Sequence, residues 1–506
     1  MMHVRQIYGW LLLSLLAFPA SAQQLSGGAS TLSVPQSLDQ LLAAGNQSPY
    51  SGSVSSAKLK AGVLDLSVDD AIDRGLKYNL GIVLSGQATA QAKAARLKAL
   101  SALLPQLEGS LRESNIKENL PAEGFNLKIP GLTFGSAAYF SNSDARLSVT
   151  EDLIDLHSIE NTRAASANVR AAGFTFNSTK ETVTLAVAAS YLLVIAAESR
   201  VEAATAELKT AEALHQLAMD RENAGLTPNV DTLRARVELQ VRRQNLIESN
   251  KNLDKQRITL LRVVGLPVHQ QIHLVSRVPY KPLLPVSEED LLRRALAARP
   301  DYLAADQQVK AAELQKRAAE AERLPTLGLS GDYGVLGTHP SNVFPTWTIS
   351  AGLKIPIFQG GKIEADIRQA DVALQQRKAQ RDDLRGRIEQ DVADAILDVS
   401  AAGEQVEVAI TTLDYAQQTL TQSQDRFSAG VTNNIEVIQA QEALATANQQ
   451  YIGSLYAHNI AKVLLARAVG AAEQTLRQVL GADSGLPDNA SGNTRNSVSN
   501  DSGPAK

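Results

Sequence analysis

Ala224-Gly225-Leu226-Thr227-Pro228-Asn229-Val230-Asp231 returns 205 positions later as Ala429-Gly430-Val431-Thr432-Asn433-Asn434-Ile435-Glu436. Each stretch reads as a helix stop followed by a helix start. Gly permits the left-handed turn that ends one helix, and an acid in the next first turn suits the helix dipole. Working outward, Val264-Gly265 matches Val469-Gly470 at the same offset, and Ile159-Glu160 matches Ile363-Glu364 at 204. Further out, Leu66-Ser67-Val68-Asp69-Asp70 pairs with Val286-Ser287-Glu288-Glu289-Asp290, and Leu104-Pro105-Gln106-Leu107 with Leu324-Pro325-Thr326-Leu327, both at 220. The chain is therefore a tandem repeat. The helical parts keep their lengths, and roughly 16 extra residues fall between Pro105 and Ile159, where length variation belongs in a loop.

Each unit predicts the same order. A first helix runs from Ser67 to about Leu104, and from Ser287 to about Leu324. Two strands follow. A very long helix then runs from Ile159 to about Asn223, and from Ile363 to about Ser428. After the Gly turn a return helix runs from Val230 to Val264, and from Ile435 to Val469. At 1.5 Å per residue the long helices reach roughly 90–100 Å, so they must pack side by side as coiled coils. Leu185, Ala188, Ala189, Leu192, Leu193, Ala196 and Ala197 form a broad seam of mostly small residues, which suits a helix with neighbours on two sides.

The strand candidates alternate with period two. Leu107, Gly109 and Leu111 oppose Glu108, Ser110 and Arg112. Ala145, Leu147 and Val149 oppose Asp144, Arg146, Ser148 and Thr150. Leu327, Leu329, Tyr333 and Val335 oppose Gly328, Ser330, Asp332 and Gly334. Trp347, Ile349, Ala351, Leu353, Ile355 and Ile357 oppose Thr348, Ser350, Gly352 and Lys354. One apolar and one polar face fits either a half-buried soluble sheet or a lipid-facing, water-lined barrel. Four strands cannot close a barrel in lipid, so the membrane alternative requires an oligomer.

Composition narrows the function classes. A net charge of −4 argues against a nucleic-acid binder. The absence of cysteine removes disulfides, thiolate metal sites and a Cys nucleophile. No phosphate loop, nucleophile elbow or dinucleotide fingerprint occurs, so the chain reads as non-enzymatic, with no cofactor. His269 and His273 have metal-ligand spacing but lack acidic or Cys partners, so no metal site is expected. Arg234, Arg236, Arg242 and Arg243 read as a solvated helix face. Arg5, the apolar run Ile7 to Phe18 and Ala20-Ser21-Ala22 form a signal peptide cleaved after Ala22. No later stretch reads as a transmembrane helix. The expected divisions are 1–22 signal peptide, 23–63 flexible segment with a short helix near Leu38 to Ala44, 64–270 first repeat, 271–475 second repeat, and 476–506 disordered tail.

In combination, the paired Ser-acidic helix starts, the Leu-Pro before each first strand, Ile355-Pro356-Ile357-Phe358-Gln359-Gly360-Gly361-Lys362 and the two Ala-Gly-x-Thr turns resemble the TolC-like outer-membrane efflux protein family from about Leu66 to Gly470. The resemblance implies a mainly α fold with a membrane β-barrel portion. Long antiparallel coiled-coil helices would form a periplasmic α-barrel, and four strands per protomer would complete a twelve-stranded barrel in a homotrimer. It implies a passive outer-membrane exit duct with two further partners. One is a periplasmic adaptor (membrane fusion) protein. The other is an inner-membrane transporter of resistance-nodulation-division, ABC or major facilitator type. Gly225, Leu226, Thr227 and Gly430, Val431, Thr432 match the adaptor-docking tips. Asp231 and Glu436 match an acidic ring at the periplasmic entrance, or serve only as first-turn acids; Arg234 and Gln439 argue against a second ring. A periplasmic coiled-coil adaptor or scaffold without a pore is the alternative.

Overall fold

A computed structural model of the chain describes residues 49–54, 62–119, 138–276, 280–282 and 287–470. The signal peptide, the helix near Leu38 to Ala44 and the tail from 476 lie outside the described residues. The element order is β1 (Leu64–Leu66), α1 (Val68–Tyr78), α2 (Leu80–Ser101), β2 (Gln106–Glu118), β3 (Ala138–Ile154), α3 (Leu156–Asn223) and α4 (Asn229–Val263). The second half follows with β4 (Ile272–Leu274), α5 (Glu288–Ala298), α6 (Pro300–Ala321), β5 (Thr326–His339), β6 (Asn342–Lys354), α7 (Lys362–Ser428) and α8 (Asn434–Ala468). The repeat is thus real in three dimensions, and the two long helices have 68 and 67 residues, about 100 Å each.

The first helix of each unit is two helices, not one. Asn79 leaves the helical region (φ −63°, ψ 136°), and its side chain accepts a hydrogen bond from Gly81 N at 2.9 Å, capping a new helix. In the second unit Arg299 is extended because Pro300, at the first position of α6, disfavours helical backbone before it. Arg299 then binds Asp301 at 2.7 Å and Asp391 of α7 at 2.8 Å, which fastens the break to the long helix. Ser67 caps α1 as its sequence predicts, accepting from Asp70 N at 3.1 Å, whereas Ser287 makes no side-chain cap bond.

The core lies where α3 is surrounded. Leu185, Ala188, Ala189, Leu192, Ala196 and Ala197 are all buried, as the broad small-residue seam predicts. They cluster with buried residues of α1, α2, α4 and α8, while α6 packs against α3 nearer its start, at Ala164 and Ala167. Gly75 on α1 makes one contact possible, since a Cβ there would fall 2.5 Å from Val187 Cγ2. Contrary to expectation, one 18-residue window of α3 is long and apolar enough to cross a membrane, but 78% of it is buried inside the protein. Its apolar side chains serve helix packing, each buried Val, Leu or Ile contributing about 1.5–3 kcal/mol and each Ala less. Tyr191 sits fully buried there and donates to Leu66 O at 3.0 Å, tying α3 to the parallel pair β1–β4.

The strands form one antiparallel sheet of order β2-β3-β5-β6. Pro340 and Ser341 alone join β5 to β6, whereas 119–137 join β2 to β3, so the extra length of the first unit falls in that connection. β6 stops at Lys354, before the expected end at Ile357. Pro356 has no N–H to continue the ladder, and the chain runs on to Gly360 and Gly361, both at positive φ, where α7 begins.

Candidate functional site: the helical tips and the two faces of the sheet

The two Gly turns form matching caps at the far end of the long helices. Gly225 has φ +69°, its N–H donates to Glu222 O at 2.8 Å, and Leu226 N donates to Arg221 O at 2.9 Å. Gly430 has φ +74°, with Gly430 N to Phe427 O and Val431 N to Arg426 O both at 3.0 Å. This pair of bonds is the Schellman cap, which satisfies the carbonyls a helix end leaves open. The residue after such a Gly usually packs back on the helix. Here the helix position it would meet holds Arg221 or Arg426, and Leu226 and Val431 stand 69% and 70% exposed. Two apolar side chains are therefore presented at the very tips.

Asp231 and Glu436 sit behind those tips. Asp231 is buried and accepts from Arg234 at 3.2 Å. Glu436 is half-buried, takes hydrogen bonds from Thr432 Oγ1 at 2.5 Å and Ser423 Oγ at 3.4 Å, and lies 3.5 Å from Arg426. Each acid is thus engaged by neighbours in its own hairpin.

Two contacts between the hairpins were not anticipated. Arg221, at the end of α3, donates to Phe427 O at 2.5 Å and Ser428 O at 3.3 Å, and its guanidinium lies 4.9 Å from the Phe427 ring centroid. Asn434, fully buried at the start of α8, donates to Asp231 O at 2.6 Å. The repeat contains a hint of the first contact: Arg221 and Arg426 are equivalent positions 205 apart, both basic in a last helical turn. The hint does not say where either side chain goes.

Higher on the wall, Arg242 is buried rather than solvated, contrary to the sequence reading. It bridges Glu238 at 2.6 Å and Glu207 of α3 at 3.2 Å, while Arg234 and Arg243 stay about half exposed. Burial pushes the Glu207 carboxyl above its usual range, against the pull of Arg242. A cavity of about 1040 Å³ opens beside this cluster between α3, α7 and α8. His273 faces Asp65 at 3.0 Å, and among the described residues no group of three metal-ligating side chains converges.

The sheet separates its faces, apart from Leu336 and Phe344 on the polar side and Glu151 on the apolar side. Register places Leu107, Val149, Gly331 and Ile349 in one cross-strand row, and Gly109, Leu147, Tyr333 and Trp347 in the next. On that face Leu107, Leu147, Tyr333, Trp347, Ile349 and Leu353 are 50–71% exposed, so no protein core covers them. The other face carries Glu108, Ser110, Arg112, Asp144, Arg146, Ser148, Asp332 and Thr348. A half-buried soluble sheet would show the reverse, apolar residues covered and polar ones bare. An uncovered apolar face on strands of 13 to 17 residues suits lipid.

Helices of about 100 Å, joined to a sheet whose apolar face is uncovered, define the class: a subunit of an outer-membrane channel with a periplasmic helical part. The family model for outer membrane efflux proteins matches residues 85–266 and 291–471, one segment per repeat, and the chain belongs to that family. The family is one of passive outer-membrane channels, not of enzymes. The pyoverdine export outer membrane protein OpmQ of Pseudomonas aeruginosa is 25% identical over 474 residues, covering 88% of this chain and 95% of that one. The alkaline protease secretion protein AprF of the same species is 23% identical over 61% of this chain and 66% of its own length. The probable outer membrane lipoprotein SilC of Salmonella typhimurium is 26% identical, but the match covers only 36% of this chain and 40% of that protein. Among solved structures, the Campylobacter jejuni CmeC outer membrane channel shares the fold with a TM-score of 0.71 at 16% identity, covering 84% of this chain and 92% of that one. The CusC structure gives 0.68 at 21% identity over 82% and 95%.

Proposed function

We propose that three copies of this chain assemble into one duct, in which twelve strands close a barrel across the outer membrane and the helices enclose a tunnel through the periplasm. The observation that carries this reading is the sheet. Its edge strands β2 and β6 have no partner within the described chain, and its apolar face is uncovered. An open edge in lipid leaves backbone groups unsatisfied at several kcal/mol each, and symmetric closure removes every edge at once. Cargo passes without chemical change. A periplasmic adaptor seats on the tips around Gly225, Leu226, Thr227, Gly430, Val431 and Thr432, where two exposed apolar side chains sit on rigid caps. An inner-membrane transporter, of resistance-nodulation-division, ABC or major facilitator type, supplies the cargo. Asp231 and Glu436, three of each in a trimer, stand at the periplasmic entrance, where Arg234 and Arg426 offset part of their charge and leave only a weak preference for cations.

Reconstitution tests the reading. Purified protein in a planar bilayer is expected to conduct as a trimer. A protein that leaves membranes in high salt without detergent, and gives no conductance, overturns it in favour of a periplasmic scaffold. For the tips, Leu226→Asp with Val431→Asp is expected to abolish co-purification of the adaptor while leaving conductance intact.

A further inference from the structure

The polar face of the sheet carries more than scattered hydrophilic residues. Arg146 on β3 binds Asp144, two residues back on the same face, at 2.8 Å, and Asp332 on β5 at 3.0 Å. The three side chains are only 20–29% exposed although they lie on an open sheet. Gly334 explains how. It stands directly opposite Arg146, and a Cβ there would fall 2.3 Å from Ala145 O and 2.5 Å from Arg146 Cβ. The missing side chain leaves Arg146 room to lie along the wall and reach Asp332, two residues further on the same strand face. Across the same three rows β2 adds Glu108 and Arg112, while β6 adds Phe344, Thr346 and Thr348 but no charge; Phe344 and Leu336 make the Asp144 row the apolar edge of the cluster. The sum is two cations against three anions, a net of −1 per protomer.

We propose that this cluster, built on Asp144, Arg146 and Asp332, is a charge girdle inside the outer-membrane barrel that discriminates among permeating ions and charged solutes by sign. The inference rests on the barrel reading above: the apolar face meets lipid, so the girdle faces the lumen. Twelve strands about 4.8 Å apart and tilted about 40° give a backbone radius of about 12 Å. Side chains narrow the water-filled space to a radius comparable with the ~8 Å screening length at physiological salt, so the field of the girdle reaches the axis. Three net negative charges favour cations. The guanidinium holds two carboxylates apart in each protomer; without it six would stand uncompensated in the ring. This girdle is separate from the acids at the tips, which lie at the other end of helices about 100 Å long.

The test uses a local probe, because conductance also senses the tips. The chain has no cysteine, so one introduced thiol reports alone. Thr348 pairs with Asp332 in register and shares its face, while Ile349 points to the opposite one. Thr348→Cys and Ile349→Cys are made in the full chain, reconstituted in vesicles, and treated from outside with cationic and anionic thiosulfonate reagents. Thr348→Cys is expected to react faster with the cationic reagent, and Ile349→Cys with neither. Adding Asp332→Asn should lower the cationic-to-anionic rate ratio at Thr348→Cys by about three- to ten-fold, the effect of one unit charge a few ångströms away in water. Adding Arg146→Gln should raise the ratio instead. A reactive thiol whose ratio ignores both substitutions overturns the girdle and leaves the barrel standing. A Thr348→Cys thiol inert to both reagents, beside a reactive Ile349→Cys, overturns the orientation of the sheet and the barrel reading with it.

Discussion

Arg242 shows how much a single side chain can carry in a wall made of small residues. Its guanidinium is 6% exposed and lies between two carboxylates that are themselves 8% and 14% exposed. Removing one partner of such a cluster leaves buried charge uncompensated, so Arg242→Ala is expected to cost about 3–5 kcal/mol, read as a lowered unfolding midpoint in detergent. Glu207→Gln should behave differently, because Arg242 keeps Glu238. The folded state raises the Glu207 pKa by burial, so the folded protein holds that proton more tightly than the unfolded chain does. The resulting penalty is absent below the ordinary glutamate value of about 4.3 and grows as pH rises through the window above it. Glu207→Gln removes the penalty, so its midpoint relative to the parent should improve from pH 4 to pH 8; no change across that range would refute the assignment. Glu238 and Arg242 stand four apart on one helix, but the burial of Arg242 and its link to Glu207 were not legible in the sequence. Arg234, Arg236, Arg242 and Arg243 look alike along one helix, and only the packing of α4 on α3 brings Glu207, 35 positions back, against one of them. The tips were legible for the opposite reason. A Schellman cap is local, and Gly in Ala-Gly-x-Thr announces its positive φ without help from tertiary structure.

At the level of elements, the long helices and the faces of the strands were readable because each rests on a period along the chain. The breaks were less so. Asn79 ends α1 by capping α2 with its own side chain, a role Asn also declines in many helices. Pro300 did mark the second break, and its effect on Arg299 follows from proline sterics, yet repeat symmetry with an apparently unbroken first helix obscured it. Pro356 likewise shortens β6. The strands support a direct prediction. Tryptophan occurs twice, as Trp10 and Trp347, so a chain cut after Ala22 keeps Trp347 alone. Trp347 is 68% exposed on the apolar face, beside Tyr333 in register. Its emission should be strongly quenched by lipids brominated along their chains and little by iodide in the water phase; the reverse pattern would place this face in solvent. On the same face Ile349→Arg should destabilise insertion by about 2–4 kcal/mol, whereas Thr348→Arg, one residue away on the lumen face, should be tolerated.

For the whole molecule, the asymmetry of burial along the helices points to what is missing from a single chain. The middle of α3, from Thr182 to Ala197, is enclosed by its own protomer, but α4 and α7 are not. Val237, Val241 and Ile247 on α4 are 65%, 42% and 70% exposed, and Leu397, Val408 and Tyr415 on α7 are 67%, 67% and 64% exposed. α4 packs chiefly on α3, while α7 packs on α5, α6 and α8, so these two helices bound the protomer on opposite sides. A closed ring joins one side of a subunit to the other side of its neighbour, a heterologous contact that repeats until it closes. Such a contact would cover both stripes at once, at about 25 cal/mol for each Å² of apolar surface removed from water. The stripes lie on the helices, away from the strands, so the interface would not be confined to the barrel. A charge placed in either stripe should therefore act on assembly and not on the fold of the protomer. Val237→Asp and Val408→Asp are each expected to shift the detergent-purified protein from trimer toward monomer in light scattering, with helical circular dichroism unchanged. Combined, they should be worse than either alone, because each damages all three interfaces. A trimer that survives the double substitution with undiminished thermal midpoint would show that α4 and α7 do not meet across the subunit boundary.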